Sequence, residues 1–109
     1  MADLSAEDRI LAAIRAIPRG EIAAYGVVAQ RAGLPGRARL VARVLAGNVD
    51  PALPWHRVMR AGGRIAFPVG SPGFDEQCRR LRAEGVPVDA VGRVRIATPA
   101  RSLDEELWG

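Results

Sequence analysis

Residues 25–46, YGVVAQRAGLPGRARLVARVLA, contain the pattern that decides the fold. A short helix is predicted over residues 25–32, and Gly33 is expected to end it, because glycine readily adopts the left-handed backbone that closes many helices. The sequence Leu34-Pro35-Gly36 then predicts a tight turn. A second helix is predicted over residues 37–46. Two short helices joined by a glycine-containing turn are typical of a helix-turn-helix.

The second predicted helix has two different faces. Its apolar positions share one face and are expected in the core: Val41, Val44 and Leu45. Arg39 and Arg43 are four residues apart and share the opposite face. Ala42 and Ala46 lie beside them and are small enough to let a backbone or a groove wall come close. We expect this face to contact DNA, and the alternative is a plain solvated arginine face.

The segments before this motif continue the helical pattern. Ser5 is predicted to cap a first helix, with Asp8 three residues later as a weak capping box. Apolar residues recur in that helix at helical spacing: Ile10, Leu11, Ile14 and Ile17. Pro18-Arg19-Gly20 is expected to end it, and residues 22–24 are expected to form a short extended link.

The segments after the motif predict a small β component and a further helix. Residues 58–60 and 64–66 flank Ala61-Gly62-Gly63, which predicts a hairpin or wing. Residues 67–73 contain two prolines and two glycines, so they are expected to form a loop. A helix with one apolar face should follow and end at Gly85. That face contains Phe74, Cys78 and Leu81.

The last part of the chain predicts only short elements. Two extended segments are expected around residues 86–88 and 94–96, where valine and isoleucine alternate with other residues. Ser102 and Glu105 have the spacing of a capping box for a final turn that carries Leu107 and Trp108. The predicted fold is therefore mainly α with a small β hairpin.

The composition favours one folded domain with a basic surface. The chain has 109 residues, of which 49% are apolar, so residues 1–109 are expected to form a single domain. The formal net charge is +4, and all 16 basic residues are arginine. This balance favours polyanionic partners, nucleic acid first. The alternative is that the arginine and alanine content reflects the base composition of the genome.

Several classes of protein are excluded by the same composition. A single cysteine, Cys78, excludes an internal disulfide, and one histidine with one cysteine is too few for a typical zinc site. No stretch approaches the roughly 20 apolar residues that cross a membrane. The first residues lack the basic and apolar regions of a leader. We therefore expect a soluble cytoplasmic monomer, nucleoid-associated in a bacterium, with no metal and no cofactor.

A second stretch, Pro54-Trp55-His56-Arg57-Val58, bears on function. A stiff approach through Pro54, an imidazole and a guanidinium are typical surroundings of a reactive group. The Trp55 indole nitrogen, however, is only a hydrogen-bond donor and cannot act as a nucleophile. The pentapeptide therefore resembles a reaction site without its reactive atom, which predicts recognition of a group that relatives would modify. The alternative is an ordinary core tryptophan.

These stretches resemble the O6-alkylguanine-DNA alkyltransferases. The resemblance rests on PWHRV, on Tyr25-Gly26-Val27-Val28-Ala29, on the helix from Arg39 to Gly47-Asn48 and on Glu84-Gly85. These occur in the family's order and cover the chain from the first helix to Gly85. In active members the pentapeptide reads PCHRV, and its cysteine accepts the alkyl group. Tryptophan in its place resembles the alkyltransferase-like proteins, which implies no catalytic residue and no enzymatic activity.

The resemblance implies a winged helix-turn-helix DNA-binding domain like the alkyltransferase C-terminal domain. Such a domain enters the minor groove, bends the duplex and flips a damaged guanine into a pocket. Arg39 matches the arginine finger that fills the vacated stack, and Tyr25 matches the tyrosine that rotates the nucleotide. The implied DNA-binding set is Tyr25, Arg39, Ala42, Arg43 and Ala46. The implied lesion pocket is Tyr25, Leu45, Trp55 and Val58, and the implied structural support is Asn48, His56, Arg57 and Glu84.

Three positions depart from the family's pattern or qualify it. Ala24 stands where the family usually has a serine or threonine N-cap, and loss of such a cap costs about 1 kcal/mol. Residues 67–73 show no clear match to the pocket wall of the active enzymes, so the range of alkyl groups is not implied. Cys78 is expected on a buried helix face, where it behaves as a small apolar residue rather than as a substitute acceptor.

These observations favour a non-enzymatic sensor of O6-alkylguanine in duplex DNA, which the resemblance connects to nucleotide excision repair proteins. A second hypothesis is a winged-helix regulator that reads undamaged DNA. It would need Asn or Gln base readers on the recognition helix, and residues 37–46 contain none. A third is an enzyme of another class that uses His56 and Glu84, but it lacks a nucleophile beside the histidine.

Overall fold

The fold is mainly helical with a two-stranded sheet. The computed structural model describes residues 5–94. Within them lie four α-helices, a short 3-10 helix and two strands: α1 (Ala6–Arg15), β1 (Ala23–Ala24), α2 (Tyr25–Arg31), α3 (Ala38–Ala46), the 3-10 helix Trp55–Arg57, β2 (Val58–Met59) and α4 (Pro72–Ala83). The predicted mainly-α class with a helix-turn-helix is confirmed.

The first three helices enclose one apolar core. The Ser5 hydroxyl accepts a hydrogen bond from the Asp8 amide at 3.0 Å, so the predicted cap of α1 is present. The turn between α2 and α3 is closed by the Arg37 amide, which donates to the Leu34 carbonyl at 3.1 Å. Gly36 has φ +81° at the third position of that turn, where a side chain would be strained. The buried residues of this core are Ile10, Ile14, Ile17, Ala23, Val28, Ala29, Ala32, Val41, Leu53 and Val58.

The apolar face of α3 is less buried than the sequence predicts. Val41 is fully buried, but Val44 and Leu45 are only half-buried at the edge of the core. The physical reason for the exposure of Leu45 is that it lines an open cleft. This partial exposure leaves Leu45 available to a ligand.

A second core lies under α4. Its buried residues are Met59, Ile65, Phe74, Cys78, Leu81, Val86, Val88 and Val94. The helix begins at Pro72, earlier than predicted, because the Ser71 hydroxyl accepts the Phe74 amide at 3.3 Å and Pro72 occupies the first turn. The predicted end at Gly85 and the predicted buried face are both confirmed.

The predicted hairpin is present in a reduced form. Val58 and Met59 do not pair with residues 64–66; they pair in parallel with Ala23 and Ala24. Beyond this pair only Arg60 and Arg64 bridge across the turn. Residues 64 and 65, which follow the turn, pair instead with residues 92 and 93. Arg64 bridges Arg93, and the Ile65 amide donates to the Gly92 carbonyl at 2.9 Å. We call residues 60–64 and 92–94 the wing.

The wing requires a glycine at position 63, where the backbone comes close to Val94. Gly63 has φ +73°, and a Cβ there would lie 2.9 Å from the Val94 carbonyl oxygen. A Val88–Val94 bridge confirms part of the predicted terminal extended segments. Ile96 and the predicted cap at Ser102 and Glu105 lie outside the described residues. Within residues 5–94, no helix has the length and apolar character needed to cross a membrane.

Ala24 leaves the start of α2 without a side-chain cap, as the sequence predicts. Its backbone (φ −73°, ψ 158°) already has the extended geometry of an N-cap. Ala24→Ser is therefore expected to stabilise the fold by about 1 kcal/mol and raise the Tm by about 4 °C. Differential scanning calorimetry measures this. Ser5→Ala is the matched control and should lower the Tm, and an unchanged Tm for Ala24→Ser would contradict the account.

Candidate functional site

An open cleft of about 410 Å³ lies between the helix-turn-helix and the segment that carries the PWHRV motif. All four predicted pocket residues lie on its wall: Tyr25, Leu45, Trp55 and Val58. The wall is completed by Ala42, Ala46, Asn48, Ala66, Phe67, Pro68 and Gln77. Most of these side chains are apolar, so the cleft suits a flat aromatic group.

Trp55 reaches the cleft from the 3-10 helix that follows Pro54. The ring is half-buried, which is inconsistent with an ordinary core tryptophan. The Phe67 ring packs edge-on against it, with centroids 6.1 Å apart. The Arg80 guanidinium lies 5.5 Å from the centroid, in cation–π contact. These two neighbours orient the indole while leaving part of it open to the cleft.

Arg80 is itself held in place by α4. Its guanidinium donates to Glu76 at 2.6 Å, and Arg79 also pairs with Glu76. These bonds lower the pKa of the Glu76 carboxyl. Glu76 and Arg80 are four residues apart, so their side chains are neighbours on the surface of the helix. The orientation of Trp55 therefore depends in part on a surface network of α4.

Phe67 and Pro68 are wall residues that the sequence reasoning missed. They lie in the loop where no match to a pocket wall could be found, and 42% of the Phe67 side chain is exposed. A large aromatic beside a proline in a glycine-rich loop is the signal that was available. Its exposure and its place on the cleft wall leave its ring accessible to a group that enters the cleft.

Gln77 is a second missed residue, and it is buried with only 2% exposed. Its amide donates to the carbonyls of His56 and Val58 at 3.0 and 3.1 Å. It therefore attaches the PWHRV segment to α4. The available signal was a polar residue one turn after Phe74 on an otherwise apolar helix face.

Gln77→Leu is expected to lower the free energy of unfolding by about 1–2 kcal/mol, because it leaves two buried carbonyls without their donor. Urea unfolding measures the change. Gln30→Leu is the control, since Gln30 is exposed on α2 and its replacement should change stability by less than about 0.5 kcal/mol. Equal effects of the two substitutions would contradict the role of Gln77.

Next to Trp55, two of the residues implied as structural support, His56 and Glu84, form a hydrogen-bonded pair. His56 Nε2 lies 2.7 Å from Glu84 Oε2, and because an ionised carboxylate only accepts, the imidazole donates. Arg57 donates to both Glu84 oxygens and to the Ile17 carbonyl at 2.9 Å. Arg57 therefore ties the site segment to the end of the first core, as predicted.

The Glu84 carboxylate is the electrostatic centre of this support. Hydrogen bonds from Arg57 lower the pKa of Glu84 to about 2 against the effect of burial, and those from His56 and the Gly20 amide act in the same direction. Glu84 is therefore ionised at neutral pH. His56 Nδ1 is buried and has no hydrogen-bond partner within residues 5–94. Cys78 is buried in the second core and is not part of the described cleft wall.

Asn48 shapes the turn that leads into the site segment. Its side-chain oxygen accepts the Asp50 amide at 3.0 Å, and its side-chain nitrogen donates to the Asp50 carbonyl at 3.1 Å. Asp50 in turn accepts the Ala52 amide at 2.9 Å. Asn48 also lines the cleft, so one residue braces the turn and contributes to the wall.

The residues predicted to contact DNA divide between the cleft wall and the exposed surface of α3. Arg39 and Arg43 are exposed on α3, while Ala42 and Ala46 line the cleft beside them. Tyr25 begins α2 on the other side. Burial raises the pKa of the Tyr25 phenol, and the Arg60 charge opposes this effect. The phenol is therefore a hydrogen-bond donor at neutral pH.

Cys78 lies on the buried face of α4 and is only 3% exposed, so its predicted burial is confirmed. Burial raises the pKa of its thiol, with the nearby Arg82 charge acting against the increase. A buried thiol of raised pKa is a poor nucleophile. Among residues 5–94, no group of three or more His, Cys, Asp or Glu side chains is arranged to hold a metal ion.

The chain is similar to known proteins over most of its length. It is 38% identical over 90 residues to a protein of Vibrio parahaemolyticus named DNA base-flipping protein, covering 81% of this chain and 87% of the relative. It is 31% identical over 103 residues to alkyltransferase-like protein 1 of Schizosaccharomyces pombe, covering 92% and 91%.

The fold is similar to that of solved structures. The structure of Schizosaccharomyces pombe Atl1 in complex with damaged DNA containing O6-carboxymethylguanine matches with a TM-score of 0.72 at 29% identity, covering 91% of this chain and 94% of the other. The family described as 6-O-methylguanine DNA methyltransferase, DNA binding domain, matches residues 5–86. The chain therefore belongs to the family of the 6-O-methylguanine DNA methyltransferase DNA-binding domain.

Proposed function

We propose that this protein binds O6-alkylguanine in duplex DNA, flips the base into the cleft beside Trp55 and does not transfer the alkyl group. The observation that carries the proposal is that an indole, rather than a nucleophile, lines the cleft, while the His56–Glu84–Arg57 support behind it is intact. Among residues 5–94, the cleft wall offers a surface for a base but contains no cysteine that could accept the alkyl group.

The relatives support this function. Two of the similar proteins carry names that denote base flipping and alkyltransferase likeness, and a similar structure contains DNA with an O6-modified guanine. The shape of the cleft also agrees. Its largely apolar wall and aromatic members suit an alkylated base, because base–aromatic stacking contributes roughly 1–3 kcal/mol.

Base flipping explains the arrangement at the mouth of the cleft. A guanine within the duplex cannot present its O6 edge to a pocket, so the nucleotide must leave the stack. Tyr25 stands at the rim, where a phenol can help rotate the nucleotide. Arg39 is exposed near the start of α3, where a long planar guanidinium can fill the vacated stack and bond the orphaned cytosine. An alkylated guanine pairs poorly, which lowers the cost of extrusion.

Affinity for paired duplexes tests lesion recognition. Two duplexes of one sequence are compared by fluorescence anisotropy, one containing a single O6-methylguanine and the other guanine. The proposal predicts tighter binding of the modified duplex. The fluorescence of a 2-aminopurine placed beside the lesion should increase on binding, because flipping of the lesion removes the stacking that quenches it. Equal affinity for the two duplexes would contradict lesion recognition.

Arg39→Ala is expected to weaken binding of the O6-methylguanine duplex roughly tenfold, or about 1.4 kcal/mol. The gap left by the flipped base then stays unfilled. Arg43→Ala removes an equal charge one turn later and should weaken both duplexes to a similar, smaller extent. Both variants are measured in the same anisotropy assay. A loss of affinity for the two duplexes in equal proportion with Arg39→Ala would exclude a finger role.

We extend the proposal to the wider role that the family resemblance implies. The protein acts as a monomeric single domain over residues 1–109, and the bent complex marks the lesion for nucleotide excision repair proteins. Residence on the nucleoid in a bacterium agrees with a DNA partner. Co-sedimentation of the lesion complex with purified damage-recognition proteins of that pathway tests the recruitment step. No co-sedimentation beyond that of undamaged DNA would contradict it.

A further inference from the structure

Three arginines stand side by side across the wing. Arg60 bridges Arg64 in the antiparallel sense, and Arg64 bridges Arg93 in the same sense. Residues directly opposite each other in antiparallel pairs place their Cβ atoms about 4.5–5.5 Å apart on one face. We call Arg60, Arg64 and Arg93 the arginine row.

The alternation of burial confirms that the row faces outward. Met59 and Ile65, the chain neighbours of Arg60 and Arg64, are buried in the second core. Val94 is buried next to Arg93 in the same way. All three arginines are exposed. The wing therefore has one apolar face on the core and one face that presents three guanidinium groups.

The row gathers three positive charges on the exposed face of the wing. The ion pairs found within residues 5–94 join carboxylates to residues outside the row: Arg15, His56, Arg57, Arg79 and Arg80. Asp89 lies near the end of the row, and its side chain accepts the backbone amides of Val91 and Arg93. Like charges directly opposite each other destabilise a sheet. An arrangement that costs stability in the free protein is one that an anionic partner can compensate.

The position of the row identifies that partner. Ala24 pairs with Met59, so in the parallel register Arg60 is next to Tyr25. The Arg60 charge indeed acts on the Tyr25 phenol, whose pKa it lowers against the effect of burial. Tyr25 lines the cleft. The row therefore begins beside a residue of the cleft wall and continues along the wing.

We propose that the arginine row binds backbone phosphates of the duplex beside the flipped nucleotide, and so extends the DNA contact from the helix-turn-helix onto the wing. This inference rests on the proposed function, because it takes the cleft to be occupied by DNA. Phosphate contacts fix position without reading bases. The row therefore adds affinity for damaged and undamaged DNA alike and does not select the lesion.

Salt dependence of binding tests the row directly. The slope of log Kd against log salt concentration is measured for Arg64→Gln on the O6-methylguanine duplex and on its unmodified counterpart. Each lost phosphate contact should make the slope shallower by about 0.9 on both duplexes. Arg9→Gln is the control, because Arg9 is an exposed arginine on α1 outside the row and its loss removes the same charge. Its slope should stay at the parent value.

Four outcomes distinguish the failure of the arginine row from the failure of the proposed function. A shallower slope with an unchanged ratio of the two affinities supports the proposal. A slope equal to that of the parent and of Arg9→Gln overturns it, as does a selective loss of lesion binding, which would make Arg64 a lesion reader. If the parent binds both duplexes equally, the proposed function fails while the slope still tests the row. The Tm of Arg64→Gln should equal or exceed that of the parent, because the substitution relieves the repulsion between neighbouring arginines of the row.

Discussion

Glu84→Ala is expected to lower the free energy of unfolding by about 3–5 kcal/mol, because it leaves a largely buried guanidinium and a buried imidazole without their partner. Only 7% of the Glu84 side chain is exposed, and it accepts hydrogen bonds from Arg57, His56 and the Gly20 amide. These contacts join α4, the site segment and the end of the first core. Urea unfolding followed by circular dichroism measures the loss.

Glu76→Ala is the matched control for this substitution. Glu76 also pairs with two arginines, but on the surface of α4, where solvent screens such pairs and they contribute little to stability. Its replacement should therefore have a small effect. A loss of less than about 1 kcal/mol for Glu84→Ala would contradict a structural role of the buried network.

The pH dependence of stability gives the Glu84 substitution a second readout. The pKa of Glu84 is lowered from 4.5 to about 2 in the folded protein. A carboxylate whose pKa is lowered by folding stabilises the fold fully at a pH above its pKa in the unfolded chain. This contribution is lost as the pH falls from about 4.5 toward 2. The parent should therefore lose stability over this interval, and Glu84→Ala should lose less.

Trp55→Ala is expected to weaken binding of the O6-methylguanine duplex by about 5- to 150-fold, which corresponds to the roughly 1–3 kcal/mol of one base–aromatic contact. The indole is the largest aromatic surface on the cleft wall, and Phe67 and Arg80 hold it in place. Fluorescence anisotropy on the paired duplexes measures the loss. Affinity for the undamaged duplex should change less.

Trp55→Phe is the matched control, because it keeps an aromatic face at the same position. It should retain most of the affinity for the modified duplex. The Tm of both variants is measured so that binding is compared between folded proteins. If Trp55→Ala bound the modified duplex as tightly as the parent, the cleft beside Trp55 would not be the lesion pocket.

Local patterns predicted much of this fold. The helix-turn-helix follows from a glycine stop, a Pro-Gly turn and helical periodicity, all of which act over a few residues. The cap at Ser5 and the buried face of Cys78 follow from the same kind of signal. The pairing of β2 with β1 was not predictable in this way. It joins segments far apart in the chain, and two-residue strands carry no periodicity.

In the functional site, too, residues ordered along the chain were predicted and residues placed by tertiary packing were not. Tyr25, Leu45, Trp55 and Val58 could be placed together because the resemblance to alkyltransferases orders them along the chain. Gln77 and Phe67 were missed, since their roles depend on where α4 and its preceding loop pack. The arginine row is likewise a product of tertiary pairing. Its members are separated by up to 33 residues, from Arg60 to Arg93, and only the wing brings them side by side.

Recognition of the lesion without alkyl transfer is decided by the intact mass of the protein recovered from its complex with damaged DNA. The protein is incubated with an excess of duplex containing O6-methylguanine, released at high salt and weighed by mass spectrometry. The account predicts an unchanged protein mass and a duplex that still carries its methyl group. A protein heavier by one methyl group, with guanine restored in the DNA, would contradict it.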